Sequence, residues 1–307
     1  MELWIPITLA AAFFQNLRSA LQKHLKASLS TSGATFSRFA YAAPLAVLYA
    51  VLLSTLGGFA LPRPNAAFVG YMAIGGVGQI LATALLVYLF SFRNFAVGTT
   101  FSKTETVQTA IFGLFMLGDH LTQSALIGIL ISLIGVFVIS AAHASRGLRG
   151  LIGGLTDRSA LIGIASGAFF GISAVSYRAA SLSLGGESFL MQAAFTLAAV
   201  TIFQTMLMAL YMRVREPGQI TAVLRSWRVS SLVGLAGMLA SACWFTAMTI
   251  QNAAYVRALG QVELIFTFVF SYFVFRERSN RLELIGIALV TAGILVLLIA
   301  PGSGRAL

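Results

Sequence analysis

The sequence predicts an all-α integral membrane protein with ten transmembrane helices in two inverted five-helix repeats. Three observations predict this class. Only 9% of the residues are charged and 58% are hydrophobic, a composition that cannot form a water-soluble surface. Ten apolar stretches reach the roughly 20 residues that cross a bilayer core of about 30 Å. The second half of the chain also repeats residues of the first half at a constant offset.

The ten predicted spans follow the apolar stretches in order. The first five cover residues 3–25, 34–56, 67–92, 95–117 and 123–142. The last five cover residues 159–180, 189–211, 229–250, 254–275 and 282–300. These runs are continuous, whereas barrel strands alternate apolar and polar residues over about ten positions, so a barrel is excluded. The first span lacks a basic leading region and contains Gln15, Asn16 and Arg18, so we expect a retained helix and not a signal peptide.

The repeat becomes visible when residues 94–135 are aligned with residues 252–293 at an offset of 158. Glu105 then aligns with Glu263, and Gly135 aligns with Gly293. A glutamate inside a transmembrane span is costly and rare, so its recurrence in register indicates a real duplication. Because each repeat has an odd number of helices, the second must enter the membrane from the opposite side. We therefore predict a first repeat at residues 1–145, a cytoplasmic connector at residues 146–158 and a second repeat at residues 159–307.

Basic residues indicate the orientation of the chain. They concentrate in the odd-numbered connectors, where Lys23, Lys26, Arg146, Arg149 and Arg213 lie. The positive-inside rule then places these connectors in the cytoplasm and both termini in the periplasm of a bacterial inner membrane. The net charge of +11 is explained by topology, and we expect no nucleic-acid partner.

The end of each repeat has a recurring pattern. Residues 263–298 combine an apolar helix, a short charged turn at residues 276–278, and a final helix with Gly286 and Gly293 seven positions apart. With the ten spans and the repeat, this pattern resembles the EamA-type members of the drug/metabolite transporter superfamily over essentially the whole chain. The resemblance implies uptake or export of small metabolites by alternating access. Many relatives have a proline in the middle of the fourth and ninth helices and keep both termini in the cytoplasm. This sequence lacks those prolines, and its charges place the termini outside.

The strongest candidate site residues are Glu105 and Glu263, each near the centre of its span. In inverted repeats, substrate sites lie near the membrane midplane between the two halves. Each glutamate either binds a substrate ammonium group or a coupling proton, or is a structural group hydrogen-bonded to hydroxyls or backbone. Their helix faces are small or polar and fit either a wet cavity or close helix packing. Those faces contain Ser102, Gln108 and Thr109 beside Glu105, and Gly260 and Thr267 beside Glu263.

Two cations lie at a comparable depth. Lys103 is two positions from Glu105 and therefore does not share its helix face. It is open to a substrate carboxylate or phosphate, or to an acid on another helix. Arg18 either contacts substrate or extends along the helix to the cytoplasmic edge beside Lys23 and Lys26. We favour the second role for Arg18.

Polar and aromatic residues complete the candidate site. Gln15 belongs to a polar stripe on the first helix, and Gln79 lies in the third. These amides either line a cavity or form interhelical hydrogen bonds worth about 0.6 kcal/mol each. Tyr88 and Trp244 are expected at equivalent depths, where they either stack on a substrate or pack in the core. A ridge formed by Gly163, Gly167 and Gly171 is suited to close helix contact.

The sequence favours transport over catalysis. Its three histidines lack metal-ligand spacing, and it contains no glycine-rich phosphate loop, so we expect no metal, no cofactor and no ATP-driven cycle. We expect a secondary transporter for an amino acid, with export favoured and protons as a coupling ion. The alternative is a carrier of organic anions or phosphate-linked sugars, for which Lys103 and Arg18 matter more. A non-transporting receptor or enzyme is the third option. The partners are a small-molecule substrate and the lipid bilayer, and the sequence does not decide between monomer and homodimer.

Overall fold

The fold is known from a computed structural model of the chain. It describes residues 2–89, 91, 100–143, 158–186, 188–266 and 281–299. The predicted connector at residues 146–158 lies outside these residues except for Arg158. Residues 267–280, which include Thr267 and the charged turn of the second repeat, also lie outside them.

Within the described residues the secondary structure is helical and contains no strand. In the first half the helices are α1 (Trp4–Leu25), α2 (Thr31–Thr55), α3 (Ala66–Leu89), α4 (Glu105–Leu117) and α5 (Gln123–His143). In the second half they are α6 (Arg158–Ser183), α7 (Phe189–Arg215), α8 (Gln219–Arg225), α9 (Trp227–Ile250), α10 (Ala253–Leu259) and α11 (Arg281–Ile299). Residues 100–102 and 262–266 are also helical.

Seven of the described helices are long and apolar enough to cross a membrane, namely α2, α3, α5, α6, α7, α9 and α11. The multi-pass, all-α class predicted from the sequence is therefore confirmed. Helix α1 has 22 residues, a sufficient length, but its polar stripe lowers its hydropathy. The predicted fourth and ninth spans extend into residues outside the described ones.

Helix packing follows the relation between the repeats. Helix α3 packs against α6. In the same way α9, the counterpart of α3, packs against α1, the counterpart of α6. Helix α2 packs against its counterpart α7, and α5 packs against its counterpart α11. The inverted arrangement therefore brings equivalent elements of both repeats to one interface.

The glycines seven positions apart give α5 and α11 their close contact. A Cβ on Gly128 would lie 2.7 Å from the carbonyl oxygen of Gly293, and one on Gly135 would lie 2.7 Å from that of Gly286. Such distances exclude any side chain, so glycine is required at these positions. The recurring glycine pattern in the sequence is thus a helix-packing device between the repeats.

The fourth predicted span is interrupted. Residues 100–102 are helical, Lys103 and Thr104 form a turn, and α4 begins at Glu105. The Lys103 N–H donates to the Thr100 carbonyl at 2.9 Å, and the Thr106 N–H donates to the Lys103 carbonyl at 3.5 Å. These bonds reach back three residues instead of four and tighten the backbone.

The ninth predicted span has a similar interruption, one residue earlier than the repeat offset of 158 would place it. Helix α10 ends at Leu259, Gly260 and Gln261 form a turn, and residues 262–266 are helical. The Gln261 N–H donates to the Ala258 carbonyl at 3.2 Å, and the Leu264 N–H donates to the Gln261 carbonyl at 3.0 Å. Both predicted spans are therefore interrupted although neither contains a proline.

The connector after α7 is folded against the start of α2. Glu216 accepts hydrogen bonds from Ser30 at 2.8 Å and from Ser32 at 2.6 Å. Ser30 also caps α2 by accepting the Gly33 N–H at 3.0 Å. A carboxylate at a helix N-terminus is favourable because of the helix dipole. The short helix α8 lies within this connector.

Candidate functional site

Two ion pairs cross between the repeats next to the two helix breaks. Glu105, the first residue of α4, has its Oε1 atom 3.3 Å from Nη1 of Arg257 in α10. Glu263 pairs through Oε1 with Nζ of Lys103. The two glutamates hold equivalent positions, and each is paired with a cation of the other repeat. The sequence left two kinds of partner open for Lys103, a substrate anion or an acid on another helix. In the structure Lys103 pairs with an acid on another helix, Glu263.

These crossed ion pairs lie inside the bundle. The side chains of Arg257 and Glu105 are 7% and 13% exposed, and those of Lys103 and Glu263 are 23% and 11% exposed. Ions so far from water need partners, because burying an isolated charge is expensive. Arg257, which was not among the residues that the sequence singled out, is buried within this cluster.

Helix α1 contributes two amides to the Glu263 side. Gln15 Nε2 donates to Glu263 Oε2 at 2.9 Å. Asn16 Nδ2 donates to the Glu263 backbone carbonyl at 3.2 Å. The polar stripe of the first helix therefore holds the second-repeat glutamate and the backbone at the helix break.

Trp244 of α9 connects the two ion pairs. Its Nε1 donates to Gln15 Oε1 at 3.0 Å, which links it to Glu263 through the amide. The Arg257 guanidinium carbon lies 4.7 Å from the centre of the Trp244 ring, within cation–π range. A Cβ on Gly260 would lie 2.5 Å from this ring, so the turn in the ninth span also depends on glycine. The aromatic residue predicted near the site thus stacks on a protein cation.

The Glu105 side is closed by packing. A Cβ on Gly167 of α6 would lie 2.8 Å from the Ser102 carbonyl and 2.9 Å from Gln108 Oε1. A Cβ on Gly171 would lie 3.1 Å from Thr109 Oγ1. Of the two roles open to this polar face, the structure shows close helix packing, and the ridge of glycines in α6 provides it.

Arg18 does not extend to the cytoplasmic edge, so the role favoured from the sequence is wrong. Arg18 is 3% exposed, whereas a side chain reaching the interface would be open there. Its Cδ would lie 3.5 Å from a Cβ on Gly237 of α9. The missing side chain at this glycine leaves space for the arginine inside the bundle.

Arg38 of α2 lies beside Arg18 and was not among the residues that the sequence singled out. It is 4% exposed, and its Cγ would lie 3.4 Å from the same Cβ on Gly237. Arg38 Nη1 donates to Thr83 Oγ1 at 2.9 Å. The signal was present, because an arginine inside an apolar helix such as α2 carries the same cost as an intramembrane glutamate.

The central cluster has more positive than negative charge. Among the described residues of the bundle interior it contains four cations, Arg18, Arg38, Lys103 and Arg257, and two carboxylates, Glu105 and Glu263. Arg18 is within electrostatic range of both Arg257 and Glu105. The cluster is therefore one electrostatic unit with an excess of two positive charges.

Comparison with known proteins identifies the family. The model of the EamA-like transporter family matches residues 2–141 and 158–299. This chain belongs to the EamA-like transporter family. It is accordingly a multi-pass membrane transporter of the drug/metabolite transporter superfamily, and the resemblance read from its glycines and repeats is confirmed.

A solved structure supports the fold of this EamA-like transporter. The protein titled "Crystal structure of protein" superposes with a TM-score of 0.68 at 16% identity, covering 99% of each chain. At this identity the similarity establishes the fold alone. No curated protein matches the sequence.

Gln79 of the transporter belongs to a hydrogen-bonded cluster of α3, α6 and α7. Its Oε1 accepts from the Tyr177 hydroxyl at 3.1 Å and from Gln204 Nε2 at 3.0 Å. Gln204 Nε2 also donates to the Gly76 carbonyl at 3.1 Å. This is the interhelical bonding that the sequence left open as one of two roles.

Tyr88 differs from Trp244 in burial. Tyr88 is 37% exposed, whereas Trp244 is 6% exposed and lies well inside α9. Their equivalent depth in the membrane stays a prediction.

Arg178 of α6 binds the C-terminal end of α9. Its Nη1 donates to the carbonyls of Met248 and Gln251, both at 2.7 Å. These carbonyls are at the C-terminal end of α9, where helical partners are missing. Arg178 Nε lies 3.6 Å from Asp119 Oδ2. Burial raises the pKa of the Asp119 carboxyl, and the charge of Arg178 opposes that rise.

Metal binding has no support in the part of the chain that the structure describes. It contains no group of three histidine, cysteine or carboxylate side chains that could hold an ion. Cys243 is a free thiol there.

Proposed function

We propose that this EamA-like transporter moves a small metabolite by secondary active transport with alternating access, using the crossed ion pairs as its substrate and coupling site. The observation that carries the proposal is that each ion pair joins the two repeats at a helix break. A solute that competes for one partner would weaken that connection and shift the balance between two arrangements of the repeats. Binding and movement are then linked by the same side chains.

An amino acid is the substrate class that we propose. Its ammonium group would bind Glu105 or Glu263, and its carboxylate would bind a cation of the same central cluster. Charges of both signs lie within this one cluster, as recognition of a zwitterion requires. Export across a bacterial inner membrane is the direction we propose, by analogy with the family.

Protons are the proposed coupling ion. A proton on Glu263 would remove its attraction for Lys103 and would weaken the connection between the repeats at this pair. Intramembrane carboxylates commonly serve this purpose in transporters. Proton binding and substrate binding would then assist each other at this pair.

Carriage of organic anions or phosphate-linked sugars is the second candidate. It is favoured by the two positive charges in excess, Arg18 and Arg38, in the central cluster. In this case the excess charge binds substrate, and the crossed ion pairs act mainly in the conformational change.

Both termini are proposed to lie in the periplasm. The buried positions of Arg178 and Arg257 support this orientation, because neither residue is a loop cation. Positive charge in the even-numbered connectors and tails then reduces to Arg63 and Arg305.

The transport proposal is tested by counterflow in proteoliposomes with amino acids, sugars and sugar phosphates as separate panels. We expect exchange of at least one amino acid, with loss of proton-driven uphill flux in Glu263→Gln. Glu283→Gln is the control, since it removes an acid that lies in the first turn of α11 and outside the crossed ion pairs. Exchange of none of these solutes under any gradient would refute transport.

The orientation is tested separately by labelling. In a Cys243→Ala background, Thr221→Cys places one thiol on the exposed connector after α7. We expect little reaction with a membrane-impermeant maleimide in intact cells and full reaction after permeabilisation. Rapid labelling of intact cells would reverse the proposed topology.

A further inference from the structure

We propose that Arg18 and Arg38 form an oxyanion site that binds the carboxylate or phosphate end of the transported solute. The inference rests on the proposed function and names the group that this solute must carry. It differs from the crossed ion pairs, in which both cations are already matched by a carboxylate.

The first support is position. Arg18 comes from α1 and Arg38 from α2, and the stems of both side chains pack at Gly237 of α9, within 3.5 Å of where its Cβ would be. Both are at least 96% buried, with 3% and 4% exposure. Three helices therefore converge on a small region that contains two guanidinium groups.

The second support is the lack of a counter-charge. Among the described residues, the ion pairs involve Lys103, Arg178 and Arg257, and neither Arg18 nor Arg38 has a carboxylate within ion-pair distance. The two arginines are also near enough to repel each other. A buried charge without a partner is costly, so an anion that enters this region gains a strong electrostatic attraction.

The third support is hydrogen-bonding capacity. Arg18 Nε is buried with no partner in the described part of the chain, and Nη2 donates only to the adjacent Ser19 Oγ at a long 3.3 Å. A guanidinium has five N–H donors in a planar fork. The donor groups of Arg18 are thus available to a ligand.

Oxyanions fit this arrangement better than other ligands. Carboxylates and phosphates present two oxygens that match the guanidinium fork, which strengthens binding beyond simple charge attraction. A monatomic anion such as chloride accepts from one point only. Arg18 is also in electrostatic range of Glu105, so the other end of the solute would lie beside the crossed ion pairs.

The test measures ligand binding to the purified full chain in nanodiscs of zwitterionic lipid. Inorganic phosphate, succinate, chloride and glucose are titrated separately by calorimetry. We expect phosphate or succinate to bind, with chloride weaker and glucose not detected. Arg18→Gln and Arg38→Gln should each weaken oxyanion binding about tenfold or more. Arg213→Gln, which removes an exposed arginine, should bind as the unmodified protein does.

Several outcomes would overturn the site. They are the absence of oxyanion binding, equal binding of chloride, and unchanged affinity in both glutamine variants. If a glutamine variant does not fold, Arg18→Lys or Arg38→Lys keeps the charge and removes the fork. Each lysine variant should still weaken phosphate binding several-fold, and unchanged affinity would refute the geometry.

Failure of the site and failure of the proposed function give different results. Arginine-dependent oxyanion binding without exchange of any solute would leave the site standing and refute transport. Exchange of an amino acid that is unaffected by Arg18→Gln and Arg38→Gln would leave transport standing and refute the site.

Discussion

The two crossed ion pairs occupy equivalent places in the repeats but different surroundings. Glu105 is paired with a guanidinium that stacks on Trp244, and its helix is pressed against the glycines of α6. Glu263 is paired with an ammonium and is held by amides of α1. The duplication has kept both acids and changed their partners. The Glu105–Arg257 pair is held by close packing, and the Glu263–Lys103 pair is held by hydrogen bonds from side-chain amides.

This difference suggests separate tasks for the two pairs. The planar guanidinium of arginine makes directional, stacked contacts that hold it in one position, whereas the ammonium of lysine is a point charge on a flexible side chain. Lys103 is also more exposed than Arg257, at 23% against 7%. We therefore expect the Lys103–Glu263 pair to open during transport and the Arg257–Glu105 pair to brace the repeats.

The largest expected effect comes from removing one acid at a time. Glu105→Gln leaves Arg257 buried without a counter-charge and should lower the free energy of unfolding by about 3 to 5 kcal/mol. Glu263→Gln should cost about 1 to 3 kcal/mol, because Lys103 is nearer water. Thermal unfolding is followed by the reaction of Cys243, the single cysteine, with a thiol-reactive dye. Equal losses of unfolding free energy in the two variants would contradict the proposed difference between the two ion pairs.

The second effect probes the packing beside Glu105. Gly167→Ala places a Cβ 2.8 Å from the Ser102 carbonyl and should cost about 1 to 3 kcal/mol by overpacking. The first helices of the two repeats align at a slightly smaller offset of 156, at which Ala12, Phe13 and Phe14 match Ala168, Phe169 and Phe170. The residue of α1 equivalent to Gly167 is then Ala11, so only the α6 side excludes a Cβ.

The control for this change is Gly70→Ala in α3. A Cβ on Gly70 meets nothing within 4 Å, so alanine there should be neutral or slightly stabilising through its helix propensity. A similar loss in both glycine variants, in the same unfolding assay, would show that close packing is not what distinguishes the Glu105 side.

The third effect tests the link between the two pairs. Trp244→Phe removes the hydrogen bond to Gln15 and weakens stacking on Arg257, which should cost about 1 to 2 kcal/mol. Trp227→Phe is the control, because Trp227 is 57% exposed and its ring contact is with the neighbouring Arg228. A double-mutant cycle of Glu105→Gln with Glu263→Gln should show smaller coupling in the Trp244→Phe background. Unchanged coupling would remove Trp244 from the connection.

The smallest effect concerns the amides of α1. Asn16→Ala removes one interhelical hydrogen bond to the Glu263 carbonyl, worth about 0.6 kcal/mol in a membrane protein. Thr291→Ala is the matched control, since that hydroxyl bonds only to its own helix at Ile287. If Asn16→Ala lowered the free energy of unfolding by several kcal/mol, α1 would hold the Glu263 side as firmly as the packing of α6 holds the Glu105 side.

Much of the fold was predictable because hydropathy reports directly on the bilayer. The predicted second span, residues 34–56, corresponds to α2 at Thr31–Thr55, and the eighth, residues 229–250, corresponds to α9 at Trp227–Ile250. The seventh was too short, since α7 continues to Arg215 beyond the predicted 211. Its last turn is charged and therefore does not register as apolar, although the backbone remains helical.

The site was predictable only in part. Glu105, Glu263 and Lys103 were singled out because charge inside a span is expensive. The burial of Arg257 was not predicted, because the helix break at Gly260 and Gln261 has no proline to mark it. Arg38 was passed over although charge inside a span is expensive. Arg18 was expected at the helix end, because no local pattern shows that Gly237 of a distant helix leaves space for its side chain.

The sequence by itself determined the class, the approximate spans and the duplication of this protein. A lipid solvent requires long apolar helices, and a repeated intramembrane acid is too costly to recur by chance. Only the tertiary structure decided which acid faces which cation. Helical periodicity orients a residue on its own helix but does not say which face of another helix, some 150 positions away, lies opposite. The pairing of Glu263 with Lys103 and of Glu105 with Arg257 depends on that choice. So does the burial of Arg18 and Arg38, which have no ion-pair partner among the described residues.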